Sequence, residues 1–206
     1  MARSNAGTKG VPRLDRETQI VEVACMAFGT DGYAATSVAD VADRAGISKP
    51  LVYNYFGSKD GLFVACIEHA GTLLATEIER VARFEATGIQ RGVNTIAAML
   101  DLLEDRRHLW RIVVDATAPT HGQIADATAS YTARIEKLAR EGVTEMLALG
   151  GLTDDLDVDA MTTVWLGIVD SLMTWWVDHP EQTAEQMLQR TVRLVTALFG
   201  DAAERR

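Results

Sequence analysis

Proline and cysteine are scarce in this chain, and alternating runs of β-branched residues are missing altogether. Four prolines in 206 residues leave room for long helices, because proline removes a helical hydrogen bond and clashes with the preceding turn. The lack of period-two alternation argues against half-buried strands. Ala, Leu, Glu, Arg and Met are plentiful instead, and these favour helix. An all-α fold is expected, with a substantial core from the 48% of hydrophobic residues. The only two cysteines, Cys25 and Cys66, are too few for a disulfide framework, and both fall in apolar helical patterns as buried free thiols would. No apolar stretch approaches the roughly 20 residues of a membrane span. The first fourteen residues are polar and lack the apolar core of a signal peptide. A cytoplasmic protein without a membrane partner is the expectation. Zinc-ligand spacing, a Gly-rich phosphate loop, a nucleophile elbow and a paired-acid motif are all lacking, and His69, His108, His121 and His179 are scattered. The sequence therefore reads as a non-enzyme, with no metal and no cofactor.

Charge is unevenly spread. The net charge of −9 looks wrong for a nucleic-acid binder, yet residues 1–62 hold seven basic and seven acidic residues and the remainder holds 13 and 22. The acidic excess lies wholly in the later part. Residues 1–14 carry Arg3, Lys9 and Arg13 and no acid. A basic arm, a neutral module and an acidic body suit a molecule with only one end facing phosphate.

The divisions follow from breakers and periodicity. Residues 1–14 form a disordered basic arm, 15–62 a small helical domain, and 63–206 a larger one. A first helix is expected from Asp15 to Gly29, with Ile20, Val23, Ala24, Ala27 and Phe28 on one face, stopped by Thr30 to Tyr33. Ser37 caps a second short helix, with Asp40 in support; Gly46 ends it. Ser48 caps a third, with Pro50 in its first turn, ending at Phe56 and Gly57. A fourth runs from Lys59 to about Phe84. Five more span about 89–104, 106–117, 121–149, 157–179 and 181–199.

Residues 36–59 carry the functional signal. Two short capped helices meet at a tight glycine turn. Ala39, Ala42 and Ala45 allow close approach, and Ile47, Val52 and Phe56 close a miniature core. The second helix then stands proud of the body, where it can enter a major groove. Its outward residues, Lys49, Pro50, Leu51, Tyr53, Asn54 and Tyr55, suit sugars, thymine methyls and base edges. Ser58 and Lys59 open the next helix, where free N–H groups, the helix dipole and a lysine favour phosphate. Here the chain resembles the TetR family, also called TetR/AcrR, whose motif has Thr at the start, Ala-Gly-Val/Ile between the helices and Tyr-x-x-Phe followed by x-x-Lys-x-x-Leu. Thr36, Ala45-Gly46-Ile47, Tyr53 to Phe56, Lys59 and Leu62 stand at the matching places, and the likeness covers residues 15 to about 65. The resemblance implies DNA-binding roles for Thr36, Ser37, Arg44, Ser48, Lys49, Pro50, Leu51, Tyr53, Asn54, Tyr55 and Lys59. Lys49, Pro50, Leu51, Tyr53 and Asn54 meet bases and nearby backbone, whereas Ser37, Tyr55 and Lys59 grip phosphates.

A short reading helix contacts few base pairs, so a homodimer on a palindromic double-stranded operator is expected, with half-sites about 34–36 Å apart. The last two helices are the expected interface, through Met161, Ile168, Leu172, Leu188, Thr191, Val192, Val195, Leu198 and Phe199. The resemblance also implies a small-molecule effector bound within the later domain. Met99, Leu103, Trp110, Val114, Met146, Trp165, Met173 and Trp176 are apolar lining candidates that suit a hydrophobic or aromatic ligand. His108, Asp115, His121 and Asp170 are the polar ones. The expected function is a ligand-responsive transcriptional repressor; a helical adaptor that does not bind DNA, or an activator of the same fold, are the alternatives.

Overall fold

The computed structural model describes residues 13–83 and 88–203, with side chains as far as residue 197. Among these residues there are nine helices and no strand: α1 (Arg13–Ala35), α2 (Val38–Arg44), α3 (Lys49–Phe56), α4 (Lys59–Ala82), α5 (Gly88–Leu103), α6 (His108–Val113), α7 (Gly122–Leu149), α8 (Asp155–Val177) and α9 (Ala184–Ala203). The all-α expectation holds. The basic arm falls outside the described residues up to position 12, and its last two residues, Arg13 and Leu14, belong to α1.

α1 does not stop at Gly29. It bends at Gly32, whose φ of 80° and ψ of 161° suit a residue without Cβ, and the main-chain oxygen of Gly32 accepts from the Thr36 amide at 3.2 Å. α6 is shorter than its apolar pattern predicts. It ends at Val113 because Asp115 and Thr117 turn the chain back toward α1.

α4 is the central rod, packing against α1, α3, α5, α6 and α7, with α8 laid on α7 and α9 on α5. Contrary to the sequence expectation, this helix is long and apolar enough by composition to cross a membrane. Its Leu62, Phe63, Cys66, Ile67, Ala70 and Leu74 instead fill the protein core. That core runs unbroken from Ile20 on α1 to Met187 on α9. A smaller cluster of Val143, Leu147 and Val158 joins α7 to α8, with Met146, Met161 and Trp165 against it.

Close helix approach rests on absent side chains. A β-carbon at Gly29 would lie 2.2 Å from the main-chain oxygen of His108, so α1 and α6 touch backbone to backbone. Gly92 takes the Trp165 ring in the same way. At the α8–α9 corner, Arg107 lies over the Trp176 ring at 3.9 Å and donates to the main-chain oxygens of Trp176, His179 and Gln182 at 3.2, 3.1 and 2.6 Å. One guanidinium thus ties the end of α8 to the turn that leads into α9.

Candidate nucleic-acid interface

The α2–α3 pair is built by local chemistry. Ser37 accepts from the Asp40 amide at 3.2 Å and the Asp40 carboxylate accepts from the Ser37 amide at 3.0 Å, a reciprocal cap. Hydrogen bonding to Ser37 holds the Asp40 carboxyl below its ordinary range. Val38, Val41 and Ala42 point inward, and Gly46, with φ 66°, makes the turn. Ser48 occupies the position before α3, but its hydroxyl makes no capping bond. The exposed hydroxyl is a correction to the expected cap, and it leaves Ser48 on the contact side.

α3 has two unlike sides. Val52 is fully buried and Phe56 half-buried, while Lys49, Pro50, Tyr53 and Asn54 are exposed and Leu51 is half-buried. Residues 49, 50, 53 and 54 repeat at helical spacing, so they form one face of a rod about 12 Å long. The Lys49 ammonium lies 5.8 Å from the Tyr53 ring centre. α3 contains no acid. An uncharged and basic face of this kind can lie against an anionic surface and present an amide and a phenol to base edges.

The remaining expected contacts divide. Ser37 and Arg44 are exposed on the same module, with Arg44 paired to Asp31 at 2.8 Å. Tyr55 is half-buried, with the Arg13 guanidinium 5.5 Å from its ring. Lys59 is half-buried, its ammonium 4.2 Å above the Tyr33 ring. Thr36 is a correction. It is 3% exposed, and its hydroxyl donates to the main-chain oxygens of Gly32 at 2.9 Å and Ala27 at 3.3 Å. It holds the bend of α1 and faces away from solvent.

Sequence reasoning passed over Tyr33, which joins the module to the body. Its amide donates to Asp115 at 2.6 Å and its hydroxyl to Asp60 at 2.5 Å. The neighbouring Ala34 amide donates to the Thr117 hydroxyl at 3.2 Å. The Tyr33 ring stacks with Phe28 and meets Phe63 edge-on. Burial first, then the Asp60 carboxylate, push the phenol up to about 12, so it stays a donor. No local signal pairs positions 33 and 115, which lie 82 residues apart.

The expected effector residues lie mostly in two adjoining clusters, bridged by Trp165. Met99, Leu103, Trp110, Met173 and Trp176 are buried in the large core. Met146 and Trp165 pack on the smaller cluster. Val114, 39% exposed, lines a cleft of about 320 Å³ with Trp110, Gly29, Arg111 and Asp178, outside the core of the later domain. Asp170 is a further correction: it is exposed on α8 and lines no interior space.

The expected interface residues also divide. Met161, Ile168, Leu172, Leu188 and Val195 are half-buried against their own subunit. Thr191 is corrected outright, being fully buried within the chain with its hydroxyl unpaired. Val192 is open, and the side chains of Leu198 and Phe199 lie outside the described residues. The outer face of α8 instead carries Leu156, Ala160, Val164, Gly167, Ser171 and Trp175, all exposed and spaced by three or four residues.

With this geometry in hand, comparison with known proteins is informative. Residues 20–66, which span the second half of α1 through the first turns of α4, match the bacterial regulatory proteins of the tetR family. The HTH-type transcriptional repressor KstR of Mycobacterium tuberculosis is 28% identical over 98% of this chain and 87% of its own. The HTH-type transcriptional activator FasR of Mycolicibacterium smegmatis is 29% identical over 60% of this chain, which spans only 57% of that relative. In structure, the transcriptional regulator FadR of Bacillus subtilis, solved in complex with stearoyl-CoA, superposes with a TM-score of 0.67 at 19% identity, over 84% of this chain and 95% of FadR. The match falls on the module whose α3 projects Tyr53 and Asn54, and the nine-helix frame extends the likeness in fold beyond it: residues 20–66 are a domain of the tetR family of bacterial regulatory proteins, and the chain as a whole is similar to HTH-type transcriptional regulators.

Proposed function

We propose that this chain is a cytoplasmic repressor that binds a palindromic operator as a homodimer and leaves it when a hydrophobic effector binds the body. The exposed α3 face carries this reading: Lys49, Pro50, Tyr53 and Asn54 stand clear of a core already closed by Val41, Val52 and Leu62. In this reading residues 15–62 form the reading head and 63–206 the body. Two heads need a fixed separation, and the apolar outer stripe of α8 together with Val192 of α9 is the surface that a second copy would cover. KstR, aligned along nearly the whole chain, is a repressor, which favours repression over activation. FadR holds an acyl-CoA thioester, and the apolar α5–α7–α8 region here, rich in Met and Trp, suits a similarly hydrophobic guest.

Release of DNA follows by linkage. An effector that prefers one setting of α6 changes the hold of Asp115 and Thr117 on residues 33 and 34, and Tyr33 carries the change to Asp60 at the start of α4. The same coupling weakens effector binding when operator is present. The deciding experiment selects duplex fragments from random DNA with the full-length protein, then measures affinity against salt. A steep loss of affinity with rising salt is expected. Tyr53→Ala and Asn54→Ala should each cost about 1–3 kcal/mol and relax sequence preference, whereas Lys59→Ala weakens all duplexes alike. A protein that ignores duplex DNA at low ionic strength defeats this reading. Transcription from the selected fragment in vitro separates a repressor from an activator.

A further inference from the structure

The molecule contains two thiols, and the function proposed above uses neither. Cys25 on α1 and Cys66 on α4 are 1% and 0% exposed. The Cys66 Sγ lies 4.0 Å from the main-chain oxygen of Val21. In a helix that oxygen is the acceptor of the Cys25 amide. Helical side chains lean toward the N-terminus, so the Cys25 side chain leans over the same turn. Both buried thiols therefore border the same turn of α1, inside one continuous core. The contact of Cys66 with that turn joins the first helix of the head to the rod that enters the body.

We propose that Cys25 and Cys66 are a reversible oxidation site whose internal disulfide ties α1 to α4. The oxidant is a low-molecular-weight disulfide. One protein thiolate attacks its S–S bond, forming a mixed disulfide and releasing one small thiol. The second protein thiolate then displaces the other small thiol, closing the Cys25–Cys66 bond. Two electrons and two protons pass from the protein to the oxidant, which leaves as two thiols. Burial, followed by the neighbouring Cys25, pushes the Cys66 thiol well above its ordinary range. Because the thiolate is the nucleophile, the reaction waits on transient separation of α1 from α4. The site thus reports the opening of that contact, and once formed the bond restricts it.

The test incubates full-length protein with excess oxidised glutathione, quenches with acid, unfolds the chain and alkylates any remaining thiol. The expected product is about 2 Da lighter than the reduced chain, takes up no alkylating agent, yields a peptide linking positions 25 and 66, and reverts with dithiothreitol. Amide exchange across residues 21–28 should slow by about tenfold in the oxidised protein, because local opening is what exposes these amides. Cys25→Ala and Cys66→Ala should each form no internal bond and show unchanged exchange after the same treatment. Two alkylatable thiols in the treated wild-type chain, or a stable glutathione adduct, would overturn the proposal. So would slowed exchange in either variant. None of these readouts depends on DNA, so this inference and the proposed function fail separately.

Discussion

The two ends of this molecule finish their surfaces in opposite ways. In the head, Ile20, Ala24, Val41, Val52 and Leu62 are at most 1% exposed, and what remains outside on α3 is a lysine, a proline, a tyrosine and an asparagine. In the body, α8 leaves Leu156, Val164 and Trp175 at 79%, 51% and 38% exposure along one line. The head is closed within one chain and offers chemistry to its surroundings. The body leaves an apolar line on its outer side, and under the proposed function a second copy covers it.

That contrast can be broken most severely at Val164. In Val164→Asp a charge sits mid-stripe; its burial without a partner costs about 3–5 kcal/mol, so sedimentation at micromolar concentration should show a monomer with native helicity and no binding to a palindrome. A dimer that survives would mean the outer face of α8 is ordinary surface. Next comes Arg107→Ala, which strips charged donors from three main-chain oxygens at the α8–α9 corner. A loss of about 2–3 kcal/mol in urea unfolding is expected, with α3 contacts to DNA retained at low denaturant. In the head, Ser37→Ala removes one side of the reciprocal cap and should cost about 1 kcal/mol, felt by DNA affinity as well as by stability because α2 orients α3.

The smallest effect is that of pH at the seam between the two ends. Burial first, then Arg106 and His69, lower the affinity of His108 for a proton below its ordinary 6.5. The folded chain favours neutral His108, and the unfolded chain takes up the proton first. Stability from this group is therefore complete above about pH 6.5 and declines as pH falls through the window just beneath it. His108→Gln should flatten that slope in melting temperature between about pH 7.5 and 5. An unchanged slope assigns it to other groups.

The head was legible in sequence because its instructions are local. Ser37, Asp40, Gly46, Pro50 and Gly57 specify caps and turns from their own chemistry, and each lies where the structure uses it. Thr36 was misassigned because a motif gives a position along the chain, and its inward rotation depends on the bend at Gly32. The body was legible only as helices. α8 is apolar on most of its circumference, so periodicity alone cannot choose between the Met161–Ile168–Leu172 line and the Leu156–Val164–Trp175 line; in the fold Met161 packs on the α7–α8 cluster and Leu172 on the main core. The expected effector residues were legible only as apolar helix positions for the same reason. Their meeting depends on distant contacts such as Gly92 against Trp165, which no window of sequence contains.

The anchoring of Tyr33 has a practical consequence for anyone grafting modules. A chimaera that takes its first 62 residues from a different regulator would keep Asp115 and Thr117 and, at positions 33 and 34, the main-chain N–H groups they accept from; what the cut puts at risk is the Tyr33 ring seated edge-on against Phe63. The seam of such a chimaera is set by whatever side chain the donor places opposite Phe63. Keeping tyrosine at position 33 of the donor head is the smallest change that preserves that ring contact.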